Sequence, residues 1–306
     1  MNLEYMLKQT KNFLLKSVSL AIFAFPHQSC FAARKLPARK PYFVICTASY
    51  NNEKWAKQYL DAVFSQDYKK FRVIYYDDCS TDKTLEIVKQ YAKEHNVENK
   101  IKIVHNASRL GPHENYYNMI HSCKNNEIMV INDGDDWLAH KHVLSRLAEV
   151  YATPDIWMTY GQFKIYPSGK RGCCRKIPDK VIEQNGIRSY KWVTSHLRTF
   201  YAWLYKQIKI EDLIFDGKFV KRAGDVAATL PMIEIAGVHS LFIPEILYIY
   251  NRANENNYEA PLGNAFASID ERRAVENELR KKRPKYQPLE LDQESVAKLC
   301  GFDNQK

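Results

Sequence analysis

The chain has 306 residues, of which 45% are hydrophobic and 13% aromatic, and it carries a formal net charge of +10. This composition excludes a disordered chain and provides for one large α/β domain with additions, or two small domains, with a core that needs no staples. Part of the positive charge lies in residues 34–40 (RKLPARK) and 280–285 (RKKRPK), runs that suit anionic membrane lipid or a phosphorylated substrate, or that form a solvated basic surface.

Lys8, Lys11 and Lys16 precede a nine-residue apolar run at 17–25, and Cys30, Ala32 and Ala33 follow it. The pattern is that of a secretory signal peptide cleaved after Ala32 or Ala33, or of an uncleaved interfacial anchor. The run is too short for a comfortable membrane span. Residues 1–35 are therefore set apart from the fold.

Residues 42–48 (YFVICTA) form a short apolar run that predicts a buried strand. Trp55, Tyr59, Leu60, Val63 and Phe64 recur at helical spacing. Residues 71–76 (FRVIYY) predict a second strand, running into Asp77 and Asp78. Asp82 is expected to cap the next helix, whose face is marked by Leu85, Val88 and Tyr91. A third strand spans 101–105. Gly111 and Pro112 open a helix carrying Tyr116, Met119 and Ile120, and a fourth strand covers 127–131. Three strand–helix units in succession imply a parallel sheet with right-handed crossovers.

Beyond a helix at 141–151 the character changes. A strand is expected at 157–166, a turn at 167–169, an aromatic stretch at 192–205, a helix from Asp225 to Ala236 and a late strand at 246–250. From about Asp270 the chain is charged and poor in apolar periodicity. The organisation expected is a domain at 40–255, with a regular first half (40–140) and a more mixed second half (141–255), followed by a charged tail at 256–306. Seven cysteines at scattered positions do not make a disulfide framework. With no zinc finger or RNA-binding signature, nucleic acid is not an expected partner.

Ligands of an open parallel sheet bind beyond the carboxyl ends of its strands. Three polar clusters fall there: residues 47–51 (TASYN), Asp77-Asp78, and Asp133-Gly134-Asp135-Asp136. Three carboxylates within four residues repel one another unless a cation joins them, and an oxygen-rich cluster suits Mg²⁺ or Mn²⁺. Gly134 would let the backbone approach a ligand closely. The alternative for this segment is a polar turn. Asp78 is expected to be exposed, to accept hydrogen bonds from a base or ribose, and to be dispensable for folding. Tyr50 could stack on a base or serve only in packing.

The segment from Thr47 to Tyr91 resembles the opening of the family 2 glycosyltransferases. The resemblance is carried by "SYN" at Ser49–Asn51, "SQDY" at Ser65–Tyr68, "DDCSTD" at Asp77–Asp82 and the later "DGDDW", and extends over roughly residues 40–255. It implies the GT-A fold, a Rossmann-like, mostly parallel central sheet flanked by helices, with a smaller mixed acceptor-side region, so that 40–140 would be the nucleotide-sugar-binding half and 141–255 the acceptor half. It also implies a metal-dependent, inverting transfer of sugar from a nucleotide-diphosphate sugar to a glycan, lipid or protein acceptor, with Mn²⁺ or Mg²⁺ as cofactor. Thr47, Tyr50, Asp78, Arg109, Asp133 and Asp135 match positions that bind the nucleotide. Asp135 and Asp136 match those nearest the cation. Asp225 matches the catalytic base, although this chain has Gly224-Asp225 where the family more often has Glu-Asp; the competing reading is that Asp225 merely caps the helix that follows. His196 and Arg198 fall in a segment resembling a subgroup of the family, with roles in phosphate or acceptor contact.

A lid must keep water from the donor, and residues 167–190 and 251–265 are the candidates. A non-catalytic sugar-nucleotide or glycan-binding protein is the alternative function. A sugar nucleotidyltransferase would need a Gly-rich basic loop after the first strand, where this chain has TASYNN, and a haloacid-type hydrolase would need Asp-x-Asp there. The expected location is a membrane surface facing cytosolic donor, or a secretory lumen.

Overall fold

A computed structural model describes residues 40–255 and 269–302. The proposed signal peptide or anchor at 1–35 lies outside them. Strand β1 (Phe43–Ser49) is buried at every position, as its unbroken apolar sequence requires of a central strand. It pairs in parallel with β2 (Phe71–Asp77) on one side and β4 (Ile128–Ile131) on the other, and β3 (Ile101–His105) extends the sheet beyond β2. Ser49 pairs with Asp77, and Asp77 with His105. The carboxyl ends of three strands are therefore level, and their polar tails emerge at one edge.

The intervening helices are amphipathic. Helix α1 (Glu53–Phe64) buries Ala56, Tyr59, Leu60 and Val63, a single stripe at helical spacing. Helix α2 (Thr84–Glu94) buries Val88, Tyr91 and Ala92. Its N-cap is Lys83 rather than the expected Asp82, yet Asp82 still serves the start: Oδ1 accepts the Thr84 N–H at 2.9 Å, and Oδ2 accepts the Glu53 N–H at 3.0 Å, so one carboxylate ties two helix starts together. Helix α3 (Pro112–His121) begins on a proline and buries Tyr116, Met119 and Ile120.

The second half is mixed. Strands β5 (Trp137–Leu138), β6 (Met158–Tyr166), β7 (Ser195–Tyr201) and β8 (Ser240–Asn251) complete an eight-stranded sheet ordered β3-β2-β1-β4-β7-β6-β8-β5. Strand β7 is antiparallel to both β4 and β6, and β5 is antiparallel to β8. The aromatic stretch at 192–205 divides into β7 and one helical turn, Ala202–Tyr205, whose Trp203 packs edge-on against Trp157 at 5.1 Å. Strand β8 is longer than the expected 246–250. Its pairing with β6 begins at Ser240 and passes register shifts around Ile246, where Pro244 and Glu245 hide the strand pattern. Helix α4 (Val143–Val150) and helix α5 (Gly224–Ala236) pack against this half. Helix α5 is buried almost all round, the mark of a core helix.

The C-terminal residues correct the expectation of a merely charged tail. Helices α6 (Ile269–Asn277) and α7 (Gln293–Cys300) belong to a segment that buries Val275, Leu279, Val296, Cys300 and Phe302. Its anchor is Arg188, which is buried. Its guanidinium pairs with both oxygens of Glu234 in α5 at 2.7 and 2.8 Å and donates to the carbonyls of Leu279 and Arg283. The basic run at 280–285 is partly turned inward: Arg280 donates to the Arg188 and Tyr190 carbonyls, and Arg283 to those of Glu211 and Ile214. Among the described residues no helix is long and apolar enough to cross a membrane, and no disulfide forms.

Candidate active site

One cleft of about 630 Å³ opens at the carboxyl edge of the parallel strands and is closed on its far side by the second half of the domain. Tyr50, Asp78, Arg109, Asp133, Asp135, Asp136, His196, Arg198 and Asp225 all line it. Thr47 does not. It lies within β1, two residues short of its end, fully buried, and shares a hydrogen bond with the Tyr59 hydroxyl of α1. Residues 48–50 reach the cleft from this strand instead.

Tyr50 and Arg109 form a unit, with the guanidinium carbon 3.6 Å from the ring centroid. This cation–π stack occupies one face of the tyrosine. Asp78 is not exposed as the sequence suggested. It is buried, and its own chain uses its carboxylate: Oδ1 accepts from Asn106 Nδ2 at 2.8 Å and from the Leu110 N–H at 2.9 Å, and Oδ2 accepts from the Gly111 N–H at 2.9 Å. The loop before α3 is thus folded around Asp78, with Arg109 Nε 4.0 Å away. Gly134 permits a close approach, but to protein rather than to a ligand. A Cβ there would stand 2.4 Å from Ser49 Oγ, so only glycine lets the acidic loop lie against the end of β1.

The three carboxylates of that loop have distinct partners. Asp133 accepts from the Tyr116 hydroxyl at 2.5 Å. Asp135 accepts from Asn254 Nδ2 at 2.8 Å. Asp136 accepts from the Tyr248 hydroxyl and from the Asn251 N–H, both at 2.7 Å. Burial pushes all three pKa values upward. Asp135 rises to about 6, and Asp136 rises further because the charges of Asp135 and Asp133 add to its burial. A cation would relieve this repulsion. One ligand atom each from Asp133, Asp136 and His196 lie within 4.8 Å of one another. The His196 ring is stacked on Tyr248 at 4.6 Å, and its buried Nδ1 has no hydrogen-bond partner among the described residues. Burial, then the Arg198 charge, holds this imidazole neutral, with its pKa well below the usual value. A neutral ring nitrogen is a metal ligand, so the donor set fits a divalent cation. The set differs from the Asp135–Asp136 pair expected from sequence: His196 joins Asp133 and Asp136, while Asp135 turns to Asn254.

Asp225 reaches the same cleft from helix α5. Helix α5 has Ala223 at its N-cap, with no side-chain capping bond, so Asp225 stands inside the first turn and is not the cap. Ala223 is held at φ 57, a left-handed conformation that costs a residue with a Cβ about 1–2 kcal/mol and that recurs where backbone strain aims a functional group. Arg198 Nη1 of β7 lies 3.6 Å from Asp225 Oδ2. His113 and Asn254 also line the cleft, and no spacing in the sequence marked either. Of the two candidate lids, residues 171–173 and Arg252 with Asn254 line the cleft, and residues 256–265 lie outside those described.

The model of the family described as "Glycosyl transferase family 2" matches residues 44–223, more than half of the chain. The chain is 40% identical over 70 residues to dolichyl N-acetyl-alpha-D-glucosaminyl phosphate 3-beta-D-2,3-diacetamido-2,3-dideoxy-beta-D-glucuronosyltransferase of Methanococcus voltae, covering 22% of each protein. It is 40% identical over 57 residues to the poly(ribitol-phosphate) beta-N-acetylglucosaminyltransferase TarS of Staphylococcus aureus, covering 18% of this chain and 10% of the relative. These matches therefore span under a quarter of the relatives' length. Among solved structures, S. aureus TarS 1-349 in complex with UDP-GlcNAc superposes with a TM-score of 0.55 at 17% identity, covering 85% of this chain and 70% of the other. The mannosyltransferase PcManGT of Pyrobaculum calidifontis, in complex with GDP-Man and Mn²⁺, superposes with a TM-score of 0.50 at 21% identity, covering 70% and 57%. The chain belongs to glycosyl transferase family 2 and has the GT-A fold.

Proposed function

We propose that this family 2 glycosyltransferase moves a sugar from a nucleoside-diphosphate sugar to an acceptor hydroxyl, with inversion and with a divalent cation, Mn²⁺ or Mg²⁺. The observation that carries the reading is that the acidic loop at Asp133–Asp136 and the carboxylate of Asp225, far apart in sequence, line one cleft. The donor complexes of TarS and PcManGT support a nucleotide-sugar ligand for a fold of this kind.

The free face of Tyr50 takes the base, and Arg109 fixes the ring. Asp78 acts chiefly by shaping the loop that brings Arg109 there. Asp133, Asp136 and His196 would hold the cation, whose positive charge would stabilise the departing diphosphate. Mixed oxygen and nitrogen donors favour Mn²⁺ over Mg²⁺, which prefers oxygen alone. Asp225 accepts the proton of the attacking hydroxyl, and Arg198 orients its carboxylate. A single base and one direct displacement invert the anomeric carbon. The acceptor is a glycan, a lipid or a protein hydroxyl, met at a membrane surface or in a secretory lumen.

Calorimetric titration of UDP and GDP, with and without Mn²⁺, tests the donor site. Mn²⁺ should tighten binding of at least one nucleotide. Equal affinity in both conditions for every nucleotide would remove the cation from the account.

A further inference from the structure

His113 and Gly224 come from different elements and fit each other closely. A Cβ built on Gly224 would stand 2.1 Å from both Cδ2 and Nε2 of His113, and 2.2 Å from Cε1. The imidazole edge therefore fills the space that any other residue at 224 would need. This accounts for glycine beside Asp225, where the acidic pair of the family would clash with the ring.

The ring is more than packing. His113 is the second residue of α3 and Asp225 the second residue of α5, and both line the cleft. A packed imidazole ordinarily has its nitrogens satisfied by protein, yet among the described residues neither ring nitrogen of His113 makes a hydrogen bond. His113 keeps partial exposure at the cleft, and with its Nε2 edge turned to Gly224 the nitrogen left for a ligand is Nδ1.

Resting on the glycosyltransferase reading above, we infer that His113 is an acceptor-contacting residue, hydrogen-bonded to an acceptor hydroxyl next to the one from which Asp225 takes a proton. The chemistry of the ring selects that partner. Burial lowers its pKa to about 4, with the Asp225 charge opposing and the Arg198 charge assisting, so at neutral pH the ring is uncharged. A single neutral ring nitrogen donates in one tautomer and accepts in the other, and a hydroxyl, which can do both, pairs with it either way. An anionic phosphate would prefer the charged ring. The acceptor class that follows is a polyol or sugar with at least two hydroxyls near the reacting position.

The test uses the full chain, Mn²⁺, and whichever of a panel of UDP- and GDP-sugars the wild type turns over. Glycerol, ribitol and methyl glucoside serve as probe acceptors. His113→Ala should raise the half-saturating concentration of the best polyol at least tenfold while leaving the calorimetric Kd for the nucleotide within twofold. His113→Gln, which can also donate and accept, should recover part of the loss and guards against a folding defect in the alanine variant. An unchanged half-saturating concentration in His113→Ala overturns the assignment, as does an equal loss of nucleotide affinity or a wild type that turns over donor but responds to no polyol. A wild type that turns over no donor overturns the glycosyltransferase reading itself.

Discussion

Arg198 of β7 stands with Nη1 3.6 Å from Asp225 Oδ2, joining the centre of the sheet to the first turn of α5 within the cleft. Because Ala223 rather than Asp225 occupies the N-cap, replacing the carboxylate should not unravel the helix. Asp225→Asn should keep its melting temperature and its nucleotide affinity. Sugar transfer should fall by roughly 10²–10⁴, the usual contribution of a positioned base. Transfer at near wild-type rate would place the base elsewhere.

Asp78→Ala should behave as a stability variant as well as a binding variant. It strands the Leu110 and Gly111 N–H groups and removes one of the two bonds donated by the Asn106 amide, whose other bond goes to Asn115. Unpaired buried donors cost about 1–3 kcal/mol each. Urea unfolding should show a loss of at least ~2 kcal/mol, with weaker nucleotide binding because Arg109 loses its support. Unchanged stability would mean that the loop holds itself without Asp78.

Glu234→Ala should be more damaging than its distance from the cleft suggests. Arg188 and Glu234 are both buried, and removing one partner of a buried pair costs about 3–5 kcal/mol because the other charge is left uncompensated. The same change removes the acceptor of the Tyr286 N–H. Limited proteolysis should then cut first within residues 269–302. A wild-type cleavage pattern would contradict the role assigned to this anchor.

Metal-free protein should gain stability from Asp135→Asn at neutral pH. Burial raises Asp135 to about 6 in the folded chain, against about 3.9 for an unfolded aspartate. The folded state therefore holds this proton more tightly, and the resulting contribution is complete below about pH 4 and lost as pH rises through about 6. With EDTA present, the asparagine variant should exceed wild type by up to ~3 kcal/mol at about pH 7 and match it near pH 4. A variant less stable than wild type at neutral pH would show that Asp135 is already compensated.

The first half of the fold was legible because each of its signals is local. Residues 43–49 are apolar throughout and are central, and α1 presents one apolar stripe. The placing of polar residues at strand ends likewise gathered nearly all the site residues into one cleft. The hidden features depend on pairings between distant residues. Nothing near Arg188 announces Glu234, so the packed C-terminal segment, whose few apolar residues lie among charges, reads as solvated. Asp78 reads as free because its partners are mostly backbone N–H groups. His196 joins Asp133 and Asp136 only through the place of β7 between β4 and β6. Thr47 lies inside a strand whose end the sequence sets too early.

Release of nucleoside diphosphate from a panel of nucleotide sugars, followed with Mn²⁺ and then after chelation by EDTA, reads the proposed reaction itself. At least one donor should be turned over, chelation should abolish the release, and added Mn²⁺ should restore it. Release from no donor in the panel, or release that continues unchanged in EDTA, would contradict a cation-dependent glycosyl transfer built on Asp133, Asp136 and His196.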